Sequence, residues 1–495
     1  MERSQPNHSA RTATSLGRAS LLTVLLVLIL GWASPTAVGA QDTDAESEAT
    51  SLLESWRETL IYGIDSEVIS ILEQIEQSGE VGLNDELITR FSETRNDDLR
   101  TEILEYFTRT ESTALADPVE RLLLSDTLLD NDLLRVSAAY ISRVVNRTSP
   151  ELLAAYGEIA EDGDLLAASV AIGAIGSDGS AEAIALLLDL YEEADSTDVR
   201  SAVIRALGDA GSTEGLPLLT TIVADEFEES ALRQYAAESL GKIGSEESVP
   251  LLTQLLSSDD SNLRAYATHA LGYYDTDETR ELLVDALRDS FWRVRVAALE
   301  GLAEQGAEHA IDAIAYKARR DPERPVREEA IRTLSRVDGS ASFEVLADLA
   351  TNERIAQAER ILSIEVLADR EPTQAAETFA EIVAEEWDRE GSRLLDAVGR
   401  MISEHPHAAF EPLYVRLLSH PNFVVRIYAM RGIGGAGISE HVEQLKQIAR
   451  DNPPGLVRRT AIASLSRMGI DYDPEPEPEE SDSPADADLE SGTTE

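Results

Sequence analysis

The feature that constrains this chain most is a dipeptide, an aliphatic residue followed by arginine, that recurs about every thirty-two residues. A small residue follows at position +3 from the arginine and an aliphatic residue at +7, so positions −1, +3 and +7 are successive steps of four along one helical face. Self-similarity at this period predicts an all-α solenoid, in which each repeat buries its apolar face against its neighbours. The clearest copies are Val199-Arg200, Leu232-Arg233, Leu263-Arg264, Val294-Arg295, Val326-Arg327, Val425-Arg426 and Val457-Arg458.

Each repeat is predicted to be a pair of helices, an aliphatic A helix followed by a B helix that carries the arginine. We count about thirteen pairs and find no strand signals. Position +6 is small in most copies, which allows the next helix to approach closely, and glycines near the ends of B helices (Gly176, Gly211, Gly244, Gly306) are predicted to be left-handed C-caps. The units near Ile69, Leu165 and Glu359 are predicted to lack the arginine. The B helices are predicted to begin near Asp65, Asp98, Asn131, Asp164, Thr197, Glu229, Asp260, Phe291, Glu323, Arg354, Glu390, Asn422 and Gly455.

The repeat resembles the HEAT family, and most closely its short bacterial form named after the phycobilisome lyases. Asp198-Val199-Arg200 followed by Ala206-Leu207-Gly208 carries the resemblance, which extends over about residues 50–470. It implies a right-handed superhelix whose arginine helices line the concave side. Family membership of this kind implies a fold and a binding habit rather than one activity.

The two ends of the chain have the composition of targeting and tail segments. Arg3, Arg11 and Arg18 precede an apolar run from Leu21 to Ala33, and Val38-Gly39-Ala40 is a small-residue cleavage site. We therefore predict a signal peptide over 1–40, with an uncleaved anchor as the alternative. We further expect an acidic linker at 41–50, the HEAT-like solenoid at 51–470 and a disordered acidic tail at 471–495.

Net charge and cysteine usage limit the partners and the compartment. The chain has a formal charge of −51 and contains no cysteine, so disulfides and thiolate chemistry are excluded. A surface this acidic repels nucleic acid and anionic lipid, and it favours a basic protein or peptide. Adaptation to salt explains the same acidity, and both explanations stay open. Export without cysteine predicts a periplasmic or secreted protein of a bacterial envelope, with no stable membrane insertion after signal cleavage.

The row of arginines can be interpreted as a binding site for phosphate or carboxylate groups, or as a structural ladder. In HEAT-like proteins the matching arginine pairs with acids or carbonyls of a neighbouring repeat, and the forked guanidinium suits that role. We expect a structural role, with Asp98, Asp198 and Asp260 as nearby acids. The ladder comprises Arg100, Arg135, Arg200, Arg233, Arg264, Arg295, Arg327, Arg426 and Arg458.

Positions +2 and +5 lie off the buried face and are the better candidates for partner contacts. If the concave face binds a partner, tyrosine and arginine at these positions are the expected anchors. An ordinary solvated face with partly packed tyrosines is the alternative. The candidate row comprises Arg205, Tyr235, Glu238, Tyr266, His269, Glu300, Arg332, Tyr428 and Arg431.

Motifs for catalysis and cofactors are missing from the sequence. His405 and His407 flank Pro406, but there is no HExxH motif and no His-Glu pair of the kind that HEAT-like di-iron hydroxylases repeat. We therefore expect no catalytic residue, no metal and no cofactor. The leading hypothesis is an exported, non-enzymatic scaffold that binds a protein or peptide on its concave surface. A lyase- or hydroxylase-type HEAT enzyme and a self-associating structural envelope protein are the alternatives.

Overall fold

A computed structural model describes residues 41–78, 82–125, 129–145, 149–306, 308–453 and 455–473. The predicted signal peptide and residues 474–495 of the predicted tail lie outside these ranges. Within them the chain contains helices and turns and no strand. Residues 41–50, for which we expected a linker, form the first turns of a longer helix.

The described residues form thirteen helix pairs, which confirms the predicted all-α solenoid of helix pairs and their number. Each B helix begins within three residues of its predicted start. Helix contacts divide the chain into two compact units, Met1–Ser245 and Glu246–Glu495, with six pairs in the first and seven in the second.

Odd-numbered helices are A helices and even-numbered helices are B helices. The first unit contains α1 (Gln41–Tyr62), α2 (Asp65–Ser78), α3 (Asn84–Glu93), α4 (Asp97–Arg109), α5 (Ala116–Leu123), α6 (Asn131–Tyr140), α7 (Pro150–Asp162), α8 (Leu165–Asp178), α9 (Ala181–Glu193), α10 (Thr197–Ala210), α11 (Leu216–Ala224) and α12 (Ser230–Ile243). The second unit contains α13 (Val249–Leu255), α14 (Ser261–Leu271), α15 (Asp277–Ala286), α16 (Trp292–Glu304), α17 (Ile311–Arg320), α18 (Arg324–Arg336), α19 (Ser340–Thr351), α20 (Gln357–Arg370), α21 (Pro372–Glu386), α22 (Arg393–Glu404), α23 (Glu411–Leu418), α24 (Phe423–Ala436), α25 (Val442–Asp451) and α26 (Leu456–Arg467).

The B helices begin and end at residues suited to those positions. The Asp164 side chain accepts the backbone N–H groups of Leu166 and Ala167 at the start of α8, which satisfies two amides that have no helical partner. Gly211 and Gly244 end α10 and α12 with φ near +65° to +71°, a conformation that favours glycine. Gly176 was predicted to be such a cap, but it lies inside α8, and Gly179 forms the left-handed cap.

The apolar face predicted from the repeat is the core of each unit. In α12, Leu232, Ala236 and Leu240 occupy positions −1, +3 and +7 and are at most 1% exposed. Burial of one such stripe per helix stabilises the packing of the helices within a unit.

Consecutive B helices approach most closely where a glycine at +8 faces the small residue at +6 of the next repeat. A Cβ added to Gly208 would lie 2.7 Å from the Ser239 Cβ, and one added to Gly272 would lie 2.7 Å from the Gly301 Cα. The Ser239 hydroxyl donates to the Ile204 carbonyl at 2.9 Å. The two small positions therefore act as a pair, and the close approach lets a side chain of one repeat bond the backbone of the previous one.

Candidate functional site

The arginines of the repeating dipeptide bond the turn between the A and B helices of their own repeat. Arg200 Nε donates to the Ala194 carbonyl at 3.0 Å, six residues earlier in the chain. Arg264 and Arg426 make the same contact through Nη1, at 2.7 and 2.9 Å. Each guanidinium thus satisfies a carbonyl in the turn that follows the A helix, where no helical N–H is available as a donor.

Three consecutive arginines of the second unit also pair with an acid of the following repeat. Arg264 donates to both carboxylate oxygens of Asp289, at 2.9 and 3.0 Å. Arg295 binds Asp321 in the same two-pronged way, at 2.9 and 2.7 Å. Arg327 Nε lies 2.8 Å from Glu359 Oε1. These pairs join successive repeats, and each acid is itself largely buried.

The pKa values of two of these acids reflect their environment. Burial raises the pKa of Asp321, but hydrogen bonds from Arg295, the Glu323 amide and Lys317 outweigh it and hold that pKa below its usual value. The pKa of Asp289 is lowered by the same balance, with Arg264 as the main donor. Both carboxylates are therefore ionised in the folded protein at neutral pH.

The other predicted ladder arginines make local contacts. Arg100 bonds the Phe91 carbonyl and Asp97 rather than Asp98, and Arg233 Nε donates to the Val223 carbonyl. Arg135 lies 3.6 Å from Asp132 in an exposed pair. Arg458 is half-buried on α26.

Arg360 is a ladder arginine that the sequence pattern missed, so the unit near Glu359 does not lack the arginine as predicted. It is the fourth residue of α20, as Arg264 is of α14, and it donates to the Ala350 and Thr351 carbonyls at 2.9 and 3.3 Å. Glu359 replaces the aliphatic residue of the dipeptide because it is the buried partner of Arg327. A search for arginine at the fourth position of each B helix finds this residue.

In the first unit the predicted contact row contains Arg205, Tyr235 and Glu238. The Arg205 guanidinium lies over the Tyr235 ring, 5.1 Å from its centroid, which joins adjacent B helices by a cation–π contact. Glu238 lies 3.5 Å from the Lys242 ammonium on the same helix. The Arg205 and Tyr235 side chains are thus brought together, with Arg205 exposed.

In the second unit the row continues with Tyr266, His269, Glu300 and Arg332. Burial raises the pKa of Glu300, with His269 acting in the opposite direction from the neighbouring B helix. His269 stacks edge to face on Tyr273 at 5.4 Å. Arg332 is exposed and lies 3.4 Å from Glu329. Tyr266 is half-buried, so this stretch of the row is a mixed polar surface rather than one cluster.

Tyr428 and Arg431 lie in a groove of about 590 Å³ formed by three consecutive B helices, α22, α24 and α26. Four of its side chains are arginines and one is an acid. We call it the arginine groove, and its lining comprises Arg400, Ser403, Glu404, Tyr428, Arg431, Arg459, Thr460, Ala463, Ser464 and Arg467.

The cations of the arginine groove differ in how far they are neutralised. Arg400 lies 2.8 Å from Glu365 and 3.7 Å from Glu404. Arg431, Arg459 and Arg467 are exposed, and their guanidiniums have no hydrogen-bond or ion-pair partner among the residues that the structure describes. Three uncompensated cations in one groove can bind an anionic group.

Tyr428 is the aromatic side chain of this groove. Its hydroxyl donates to Asp396 at 3.0 Å, and burial together with this carboxylate raises the pKa of the phenol. A Cβ added to Gly399 would lie 2.6 Å from Cδ2 of the Tyr428 ring, so glycine at position 399 leaves the space that the ring occupies.

Local charge is the signal that could have found this groove. Residues 391–470 contain ten arginines and lysines and six acids, although the whole chain carries −51. The total charge of the chain does not show this basic stretch, whereas the net charge calculated in a sliding window along the sequence does. Tyr428 and Arg431 belong to the contact row predicted from the sequence, whereas Arg400, Arg459 and Arg467 were not predicted.

The two histidines that were considered as metal ligands make other contacts within the protein. His405 Nδ1 lies 2.9 Å from Asp369, whereas His407 Nδ1 accepts the Ala409 backbone N–H. Over the described ranges, no group of three His, Asp or Glu side chains is placed to hold a metal ion. A second cavity of about 700 Å³ lies at the turns near Trp387, where His420 bonds the Trp387 carbonyl.

A family model described as spirochaete HEAT repeat protein matches residues 60–464. No curated protein matched the chain.

Solved structures that match the chain include the complex of CpcE and CpcF of phycocyanin lyase from Nostoc sp., at 20% identity and a TM-score of 0.32. The match covers 50% of this chain and 93% of that one. Kap95p, in a structure concerning its binding of RanGDP, matches at 12% identity and a TM-score of 0.45, over 77% of this chain and 60% of its own. Kap121p matches at 13% identity and a TM-score of 0.39, over 91% of this chain and 57% of its own.

Proposed function

This chain belongs to the spirochaete HEAT repeat protein family, and we propose that it is an exported, non-enzymatic scaffold that binds a protein or peptide along its B helices. The observation that carries the proposal is the arginine groove. Exposed arginines beside a half-buried tyrosine are the side chains that concentrate affinity in protein interfaces.

The different environments of the dipeptide arginines and of the groove arginines support this role. The arginines of the dipeptide are engaged by carbonyls and acids of the protein, as in the pairs Arg264–Asp289 and Arg295–Asp321. On α24 the dipeptide arginine is Arg426, which bonds the His420 carbonyl. Arg431, five residues later on the same helix, is exposed and lines the groove. A helix that fixes one arginine internally and presents another outward combines a rigid support with a contact surface, which lowers the entropy lost on binding.

Charge suggests two kinds of contact with the partner. The acidic surface elsewhere on the chain attracts basic segments over long range, whereas the arginine groove accepts an acidic one. An envelope location rests on the N-terminal sequence, and within the described part of the chain no helix is long and apolar enough to cross a membrane. From the N-terminal sequence alone, we propose that the protein functions outside the cytoplasm.

Charge reversal in the groove tests the proposal. Arg431→Glu combined with Arg459→Glu should reduce recovery of a defined partner from an envelope extract of the source organism at least tenfold. Arg320→Glu with Arg354→Glu is the matched control, because both arginines are exposed and lie outside the groove. Equal recovery by the two variants, with unchanged unfolding transitions, would contradict the proposal.

A further inference from the structure

The last repeats of the chain and the segment that follows them have opposite charge. Residues 391–470 carry four more cations than acids, whereas residues 471–495 contain eleven acids and no cation. Nine of those acids lie in residues 474–495, which we call the acidic segment: Glu475, Glu477, Glu479, Glu480, Asp482, Asp486, Asp488, Glu490 and Glu495.

The groove offers the acidic segment a matching set of donors. Arg431, Arg459 and Arg467 present three forked guanidiniums that no described carboxylate neutralises. Facing them are Arg400 and Glu404 on α22, and the Asp396 carboxylate is engaged by Tyr428. Like charges repel each other, so an anionic chain that enters the groove relieves repulsion as well as forming charge-assisted hydrogen bonds.

The path of the chain brings the acidic segment within reach of the groove. Arg467 lines the groove and precedes Asp473 by six residues. The Tyr472 ring lies beside α25, 5.9 Å from the Lys446 ammonium, so the chain at residue 472 lies at the A helix of the same repeat. Twenty-two residues span up to about 70 Å when extended, which is ample to cross one helix pair.

We propose that the arginine groove is a binding site for an acidic peptide and that its occupant is the acidic segment of the same chain. This inference rests on the proposed role of the B helices in peptide binding and adds the chemistry of the ligand. Glutamates at alternate positions of the Pro-Glu run provide carboxylates for successive arginines. Covalent attachment gives the segment an effective concentration on the order of millimolar, so any external acidic peptide must compete with it.

Binding of the segment as a separate peptide tests this proposal. A fluorescent synthetic peptide of residues 474–495 is titrated, at low salt, with the full chain and with a full chain in which the nine acids are replaced by Gln or Asn. We expect the neutralised chain to bind the peptide about tenfold more tightly, since for a dissociation constant near 0.1 mM an attached competitor at millimolar effective concentration weakens binding by about that factor.

A matched pair of triple variants, made in the neutralised chain, locates the site. Arg431→Gln, Arg459→Gln and Arg467→Gln should abolish peptide binding. Arg288→Gln, Arg320→Gln and Arg354→Gln remove the same charge from exposed positions elsewhere in the second unit and should leave binding unchanged. Circular dichroism checks that each variant is folded.

Each other outcome overturns the inference. Failure of the neutralised chain to bind the peptide, or equal loss in both triple variants, rules out recognition by the groove. Equal binding by intact and neutralised chains leaves the groove open for an acidic segment of another protein. Competition that weakens as the concentration of the intact chain falls, instead of staying constant, assigns the segment to a second copy. None of these results decides the proposed function, which is tested by partner recovery.

Discussion

Arg295 and Asp321 form a two-pronged ion pair between successive repeats, in which the Asp321 side chain is 1% exposed. Lys317 approaches the same carboxylate at 3.2 Å, and Arg295 also bonds the Asp289 carbonyl. Charges removed from water to this extent are tolerated only when every one is compensated, so each member of the pair depends on its partner in the adjacent repeat.

Loss of one partner should therefore be costly. Asp321→Ala leaves Arg295 and Lys317 without their carboxylate, and we expect the free energy of unfolding to fall by about 3–5 kcal/mol. Asp285→Ala is the control, since Asp285 pairs with Arg288 on the surface and its loss should cost less than about 1 kcal/mol. Urea denaturation measures both, and similar losses would show that burial of the pair has no consequence.

Acid should weaken the same contact. Because the pKa of Asp321 is lower in the folded than in the unfolded chain, its contribution is complete above the ordinary value of 3.8 and is lost as pH falls through the lowered one. The stability penalty of Asp321→Asn, measured by urea denaturation, should therefore shrink as pH decreases from about 5 to 2. A penalty that stays constant over this range would contradict the assigned ionisation.

Alanine substitutions of one glycine in α8 and one in α10 should change the stability of the chain in opposite directions. Gly208→Ala places a methyl group against Ser239 and should destabilise the chain by about 1–3 kcal/mol, because the two B helices must separate. Gly173→Ala meets nothing within 4 Å and should stabilise it by about 0.5–1 kcal/mol, since alanine has the higher helix propensity. Thermal unfolding compares the two, and a shift of the same sign would refute the close-packing role.

The sequence predicted the repeat better than it predicted the contacts between repeats. Periodicity located the B helices because burial of a stripe such as Leu232, Ala236 and Leu240 requires regular spacing. Asp321 lies in a turn twenty-six residues beyond Arg295, and the apolar pattern of the B helices does not extend to that turn. The arginine groove draws side chains from three helices at different offsets, so only the folded chain assembles it.

Arg360 is another contact residue that the sequence pattern did not predict, and its replacement provides a further prediction. Its guanidinium is 6% exposed and bonds two carbonyls at the end of α19. Arg360→Ala should cost about 1–3 kcal/mol, because those carbonyls lose their donors. Arg354→Ala, at an exposed arginine three residues before α20, should change stability by less than about 0.5 kcal/mol. Equal losses of stability for the two variants in urea denaturation would show that Arg360 has no structural role of the kind assigned to the ladder arginines.

The claim that the B helices form the binding surface is tested most directly by site-specific photo-crosslinking. The chain has no cysteine, so one photoreactive label can be attached at Ala463→Cys in the arginine groove or at Gln447→Cys, an exposed position on the A helix of the same repeat. Both chains carry the neutralised acidic segment, which leaves the groove free. In an envelope extract of the source organism, the groove label should form an adduct with one defined protein, and the A-helix label should not. An equal adduct from both labels, an adduct only with a second copy of the chain, or none from the groove would contradict the account.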